Sequence, residues 1–562
     1  MDRWQITAIA IAIGLVAASF YFTPTAPVRA PQAPPAAAAP APEPSPVARS
    51  VPETPAAPEA PPSAAGRLVT LRNDAVELRV SNTWTRVESV ELLRYRATVD
   101  RDSAPVQLVT TPMGAMSVSL GDDAALRAQQ EMPAEVTSSS PTAVELRSTH
   151  GGITVTRKVE LDDEGYGGHL SLAIQNASSA TIRPSIQVIF DGHERAATAP
   201  DHFPRYSLVV SADGATKRMP LQGIASTGFV GTLLGRGPPT STRYASPVEW
   251  AGVDSQYFLI AAVAQNPRES VAVAGPLGSY ALDSGSAVLG IEPFDVPPGT
   301  GVERSYRLYF GPKIEDTVVG VDPQLGHAID AGWSFVRPLV SAFGGMLHWT
   351  YDHVVANYGV AIILLTILVR LVTYPLTQRS MKSMKKFGLI APQMKEIQEK
   401  YANDRDKLQE ELMKLYRQKG MNPLSAVGGG CVPMLIQMPV MIALYFALQT
   451  SIDLRHAPFA LWIHDLSAPE NFFSIAGVPI RLLPLLMGGS MLLQQRLSPA
   501  PNADPQQRQM MTLMSFMFTF MFYQFPAGLV LYWFVSNLLG IAQQLLVNRS
   551  PQPATKPSEK AA

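Results

Sequence analysis

After residue 350 the chain carries five apolar stretches of near-bilayer length, roughly Val354–Pro375, Val432–Thr450, Leu482–Gln495, Gln509–Phe525 and Gly528–Val547. A hydrocarbon core about 30 Å thick takes roughly 20 helical residues to cross. Backbone polar groups inside it must be satisfied within the segment, so helices are the form open to these runs. The third run is short, and a start nearer Ile475 with Arg481 at the interface is its alternative. Charged residues make up only 16% of the 562-residue chain, against about 25% in a soluble domain.

Arg370 is the only charged residue in these stretches as drawn, and no Asp or Glu within them can pair with it. An arginine at a span centre costs about 2.5–3.5 kcal/mol on insertion scales. Two readings remain open. Arg370 lies five residues before Pro375, about 7.5 Å along a helix axis, so it can snorkel to the cytoplasmic interface. Otherwise it lines a polar cavity open to the cytoplasm. Thr366 lies one turn earlier on the same helix face, and Gln437, Gln524, Ser536 and Asn537 are further neutral polar residues. Each alone also suits an ordinary interhelical hydrogen bond. Two methionine stripes, Met434/Met438/Met441 and Met510–Met521, read as packing, lipid contact or an adaptable apolar surface.

The segment 379–420 holds eleven Lys/Arg residues, with acidic residues and helically spaced Leu, Met and Ile among them. It predicts one or two exposed helices, as an antiparallel hairpin. This segment, Arg496, Arg508 and the tail 549–562 form the basic side, while the opposite loops carry only Arg455 and Arg481. Lys/Arg bias places the basic side in the cytoplasm. Trp4–Phe22 is a further apolar run of 19 residues; it reads as an uncleaved anchor (1–23), with a cleaved signal peptide as the alternative. Six spans with both termini cytoplasmic follow.

Residues 24–65 are a Pro/Ala-rich linker with few amide donors. From 66 to 325 apolar residues alternate at period two, as in Ala75–Val80, Ile153–Val159, His169–Ile174 and Arg304–Phe310. Tyr257–Ala264 is apolar on both faces and suits a central strand. This pattern predicts a large antiparallel β-sandwich without an amphipathic helix of normal length. Residues 326–350 alternate near helical spacing and suit a helix in the membrane interface, or one packed on the β domain. Residues 351–548 form the five-helix core.

The sole cysteine, Cys431, allows no internal disulfide, and no zinc spacing or nucleotide fingerprint occurs. No catalytic residue, metal or cofactor is expected. A net charge of −1 gives no pointer to nucleic acid.

Four segments together carry a resemblance: YGVAIILLTILVRLVTYPLT, NPL followed by GGCVPMLIQMPVMIALYFAL, FALWIHDLS, and FPAGLVLYWFVSNLLGIAQQ. They resemble the YidC/Oxa/Alb membrane protein insertases, most closely the Gram-negative YidC branch. NDAVELRVSN and WAGVDSQYFLIAAV resemble the periplasmic domain of that branch. The resemblance implies an inner-membrane insertase and chaperone without covalent chemistry, carrying a periplasmic β-supersandwich. It implies a cytoplasm-open hydrophilic groove containing Arg370, with Thr366, Tyr532 and Trp533 at substrate-contact positions; Gln437 and Met441 complete the expected groove set. Implied partners are nascent membrane proteins, the Sec translocon, the ribosome in weak or transient contact, and membrane lipids. The chain departs from the pattern in a longer Ser425–Gly430 segment and in Tyr358, where many members have Trp.

Two other function classes compete. A small-solute transporter would show inverted repeats and intramembrane carboxylates. A periplasmic carbohydrate enzyme would need separated paired carboxylates, whereas Asp162, Asp163 and Glu164 are adjacent.

Overall fold

The structure is a computed structural model. It describes residues 66–549 except 101, 109–113, 194–205, 222–240, 277–283, 331, 334, 403, 419–422, 476–477 and 498–504, and the backbone alone over 382–389, 391, 423–436, 505–508 and 548. The expected anchor (1–23), linker (24–65) and most of the tail lie outside the described residues. Leu68 onward clusters as one compact unit.

That unit begins with strands β1 (Leu68–Arg72), β2 (Val76–Ser81), β3 (Arg86–Arg96), β4 (Pro105–Gln107) and β5 (Met116–Ser119). After helix α1 (Ala124–Glu131) come β6 (Glu135–Ser139), β7 (Ala143–His150), β8 (Ile153–Leu161), β9 (Gly167–Asn176) and β10 (Gln187–His193). Then follow β11 (Ser207–Ala212), β12 (Ala215–Pro220), β13 (Thr242–Tyr244), β14 (Val248–Asp254), β15 (Phe258–Ala264), β16 (Ser270–Pro276), β17 (Ser284–Ile291) and β18 (Thr300–Pro312). They form two antiparallel nine-stranded sheets among the described residues. One runs β1-β2-β3-β5-β10-β17-β16-β13 with β4 on β3; the other runs β12-β11-β14-β15-β18-β9-β8-β7-β6.

The alternation seen in the sequence is the alternation of burial. Every second residue of β8 is buried, and all seven residues of β15 are buried. Such strands bury one face or both against the facing sheet, which is the dominant source of stability here. Helix α1 escaped the sequence reading because two of its three buried residues are Gln129 and Gln130. Gln129 Nε2 donates to Ile153 O at 2.5 Å, and Gln130 Oε1 accepts from Leu120 N at 3.0 Å. Beneath α1 lies Arg157, 3% exposed, donating to Ser148 Oγ at 3.1 Å and Gln129 O at 3.4 Å. Burial lowers its guanidinium to about 10, still charged at neutral pH.

Asp191 on β10 is the sandwich's one clear acid-range titration among the described residues. Burial raises its carboxyl to about 6, against an opposing pull from Arg86. The folded state therefore holds this proton more tightly than the unfolded chain. Its stabilising contribution is present at acid pH and is lost as pH rises from about 4 through about 6, at most about 2–3 kcal/mol. Asp191→Asn is expected to flatten that decline; thermal unfolding of the full chain in detergent at pH 4.5 and 8, read at the β-sheet signal, checks it.

The chain leaves the sandwich through α2 (Glu315–Val321) and a single-turn helix at Pro323–Ala328. Helix α3 (Arg337–His353) begins eleven residues later than the expected start at 326. Its buried face (Val340, Phe343, Leu347, Thr350) packs into the helical core, so the bundle covers it and not the β domain.

The bundle itself comprises α4 (Tyr358–Lys400), α5 (Arg405–Gln418), α6 (Pro423–Thr450), α7 (Leu482–Leu497), α8 (Pro505–Phe522) and α9 (Ala527–Arg549). Two helical stretches among the described residues, Tyr358–Met381 and Ala527–Val547, pass a length-and-hydropathy test for a span. Three expectations are corrected. Residues Val354–Asn357 do not belong to the first span, which opens at Tyr358: Asn357 caps α4, its Oδ1 accepting from Val360 N at 3.1 Å. Pro375 does not end that span, because α4 runs unbroken through Pro375 and Pro392 to Lys400. Each proline removes one rung of the hydrogen-bond ladder, and the helix continues past both. The first arm of the polar hairpin is thus the continuation of α4, packed on α5 through Ile390, Leu415, Met394 and Tyr416. Lastly, of the two starts read for the third apolar helix, Leu482 holds and the alternative near Ile475 does not. Residues Phe473–Ile475 (β19) and Val478–Ile480 (β20) form a β-hairpin, and α7 starts at Leu482.

Glycines let α7 and α8 approach closely. A Cβ on Gly488 would stand 2.2 Å from Thr519 Oγ1, the small-residue contact usual between membrane helices. The sandwich and the far end of α6 also touch. Arg455 donates to Arg96 O at 2.6 Å and Ala97 O at 3.2 Å, and Gln256 Nε2 donates to Gln449 O at 3.0 Å.

Candidate functional site

Helix α4 sorts its residues into two faces. Leu364, Ile367, Leu368, Leu371 and Val372 are exposed, at the i, i+3, i+4, i+7, i+8 spacing of one stripe. Ala361, Ile362, Leu365 and Thr366 are buried on the opposite face. Arg370, one turn after Thr366, shares that inward face and reaches toward α9.

There it meets Ser536. Arg370 Nε donates to Ser536 Oγ at 3.1 Å, and Nη2 donates to Ser536 Oγ and to Ser536 O, both at 2.7 Å. A neutral hydroxyl and a carbonyl hold the guanidinium; no carboxylate does. In the sequence Ser536 is one neutral polar residue among several, and nothing there pairs it with Arg370. On α9 it lies four residues after Tyr532 and four before Gly540, so the three share a face. Tyr532 is 2% exposed, and its hydroxyl accepts from Gln437 Nε2 of α6 at 2.7 Å. Gly540 makes room on the other side: a Cβ there would lie 3.0 Å from Gln494 Nε2 and 3.5 Å from Arg370 Nη2. Further along, Gln543 Nε2 donates to Thr377 Oγ1 at 3.0 Å, and Asn537 Nδ2 donates to Ser490 Oγ at 3.1 Å.

Four helices thus converge on a line of neutral polar groups with one positive charge among them. Gln437, Tyr532, Ser536 and Arg370 come together. Met441 follows Gln437 by one turn of α6 and is half-buried. Thr366 stands apart in one respect: it is 0% exposed, and its hydroxyl donates to Ile362 O of its own helix at 2.6 Å. Tyr532 and Trp533 also face different ways. Trp533 turns to α8, in T-shaped contact with Phe522 at 4.5 Å. Gln494, Gln543 and Thr377 did not stand out in the sequence; the i, i+4 and i+7 spacing of Ser536, Gly540 and Gln543 on an otherwise apolar helix was the signal available.

The chemistry of this line suits the binding of polar groups. It offers hydroxyls, amides and one guanidinium, without a general base beside a nucleophile. Among the described residues no three His, Cys, Asp or Glu side chains cluster as metal ligands. In the sandwich, Asp162 is taken by Arg307 (2.7 Å), leaving Asp163 and Glu164 as exposed turn residues.

Comparison with known proteins follows the same division of the chain. The family described as YidC periplasmic domain matches residues 68–342, and that described as 60Kd inner membrane protein matches residues 349–554. A membrane protein insertase YidC of Geotalea daltonii is 36% identical over 402 residues, covering 71% of this chain and 69% of the relative. One from Pelobacter propionicus is 32% identical over 520 residues, covering 90% and 91%. A crystal structure of an active YidC insertase with its first transmembrane domain resolved aligns over 84% of this chain and 91% of its own, at 17% identity and a TM-score of 0.35. With both halves of the chain matched and relatives above 30% identity across most of their length, the chain belongs to the YidC family of inner-membrane protein insertases.

Proposed function

We propose that this insertase works through a hydrophilic groove, open to the cytoplasm, whose charge is Arg370. The observation that carries the proposal is a guanidinium inside the bundle whose hydrogen bonds among the described residues all go to Ser536, with no carboxylate of those residues paired to it. Such a cation favours polar and acidic segments of an arriving chain, and it can exchange a neutral hydroxyl for them at little cost. Thr366, Gln437, Met441, Tyr532 and Trp533 are the proposed walls. The hydrophobic segment of the substrate slides along the exposed faces of α4 and α8. On α8 these are Met510, Met511, Met514, Phe516 and Met521; flexible thioethers adapt to varied apolar partners.

In this reading the chain crosses the membrane six times with both termini in the cytoplasm and the sandwich in the periplasm. The α4–α5 hairpin receives substrate, the ribosome docks only weakly or transiently, lipids surround the bundle, and the insertase works alone or with the Sec translocon. Photo-crosslinkers placed at Gln437 and Trp533 are expected to capture a ribosome-bound nascent membrane protein. Capture only from positions on the sandwich, with none from the bundle, overturns the groove.

A further inference from the structure

The loop between α6 and α7 contains ten consecutive uncharged residues, Asn471–Ile480, bounded by Glu470 and Arg481. Both boundary charges turn into the protein. Glu470 is 5% exposed, its Oε1 accepting from Leu483 N at 2.6 Å. Arg481 is 7% exposed, donates to Tyr523 O and lies over the Tyr523 ring at 5.2 Å. What the loop leaves outside is uncharged: the apolar Phe472, Phe473, Ile475 and Val478, with Asn471 and Ser474 hydrogen-bonded to each other at 3.2 Å.

Between these charges stands the β19–β20 hairpin. Its register pairs Phe473 with Ile480 and Ile475 with Val478. Side chains alternate across a strand, so these four residues share one face. That face is wholly apolar, with Ile475 59% and Val478 58% exposed. Phe472 adds a second aromatic ring, 5.3 Å from Phe473 and 5.1 Å from Trp462. A lone two-stranded hairpin is marginal in water, and an apolar face in water adds to that cost.

Its place in the fold supplies the missing contact. Helix α7 has 16 residues, about 24 Å, short of a hydrocarbon core of about 30 Å. The hairpin runs directly into it, and the exposed Leu485 and Leu486 of α7 continue the apolar surface. Tyr523, just past the end of α8, fixes the depth: its hydroxyl donates to Pro479 O at 2.7 Å and accepts from Arg481 N at 3.2 Å. The hairpin therefore lies level with the helix ends, where aromatic rings concentrate in membrane proteins.

We propose that the β19–β20 hairpin lies in the outer-leaflet lipid interface, its Phe473/Ile475/Val478/Ile480 face in the acyl–headgroup boundary, completing the span that α7 is too short to make. The inference rests on the six-span orientation proposed above. The test uses the full chain with Cys431→Ser and either Phe473→Cys or Ile475→Cys, labelled with an environment-sensitive NBD dye in vesicles of phosphatidylethanolamine and phosphatidylglycerol. Expected are blue-shifted emission, strong quenching by lipids with a nitroxide near the headgroup, weaker quenching by a nitroxide deep in the chain, and little quenching by aqueous iodide. Water-like emission with full iodide access at both positions overturns the proposal. So does protection that arises only when purified Sec translocon is added, which makes the face a protein-docking surface. Asp163→Cys on the sandwich, probed with an impermeant maleimide, reports sidedness separately; failure there overturns the orientation and leaves the depth result standing.

Discussion

Arg370→Glu abolishes insertion of substrates that carry a polar extracytoplasmic segment, and Arg370→Ala lowers it by about tenfold or more. The bundle holds no carboxylate near this site, so the Glu variant reverses the sign of the local field and places a like charge before any acidic segment. Hydrogen bonds to a charged group are worth about 1.5–3 kcal/mol, and 1.4 kcal/mol is a tenfold change in an equilibrium constant. Losing the cation's bonds to a substrate accounts for the expected drop in the Ala variant. Folding should suffer less than function. Ser536 is the cation's sole hydrogen-bond partner among the described residues, and a freed serine hydroxyl can turn back to a carbonyl of its own helix. Arg370→Lys keeps the charge but loses the fork that grips two oxygens at once, so partial activity is expected. Protease protection of a labelled substrate in reconstituted vesicles reads all three variants. Wild-type insertion by the Glu variant for every substrate would remove Arg370 from the mechanism.

Trp250→Ala lowers the stability of the sandwich by about 3–5 kcal/mol, the usual cost of deleting a fully buried tryptophan. Trp250 sits on β14, 0% exposed, with its indole Nε1 donating to Gln324 O at 3.0 Å. That bond ties the single-turn helix leading to α3 onto the sheet. The substitution opens a cavity between the sheets and strips the Gln324 carbonyl of a partner. Urea unfolding of the full chain in detergent, read at the β-sheet signal, should show an early transition while the helical signal persists. The same variant at a temperature where the sandwich stays folded should still insert substrate. Together the two substitutions separate function from stability: Arg370 changes transport with little loss of fold, and Trp250 does the reverse. An unchanged sandwich midpoint in Trp250→Ala would mean that this core does not hold the domain together.

The sandwich was legible because a half-buried strand writes its burial directly into alternate residues, as β8 does. The same rule hid Arg157, whose inward position in ITVTRKVEL looks like an outward one by residue type. Helix α1 was hidden for a related reason, since it buries glutamines that hydrogen-bond to backbone where a leucine would be expected. In the bundle, apolar runs located the helices and Arg370 marked their inward face. Two features needed three dimensions. The polar partner of Arg370 comes from a helix 166 positions away, and only packing selects Ser536 over Gln437 or Asn537. The β19–β20 hairpin reads in sequence as more span, because a one-sided apolar hairpin and the first turns of an apolar helix share a composition. Pro375 misled in the opposite direction: it looks like a stop signal, yet the helix passes through it.

That continuity makes α4 a beam. Its 43 residues measure about 64 Å, roughly twice the thickness of the hydrocarbon it crosses. Arg370 lies in the inserted half, Tyr358–Met381, and the basic arm forms the free end, with no loop between them to absorb displacement. Weight placed on the arm acts with leverage on the guanidinium. Rungs of the hydrogen-bond ladder are missing at Pro375 and Pro392, and Pro375 is the nearer to the charge, five residues away. A load at the free end therefore bends the rod beside Arg370, and the shape of the site follows what rests on the arm.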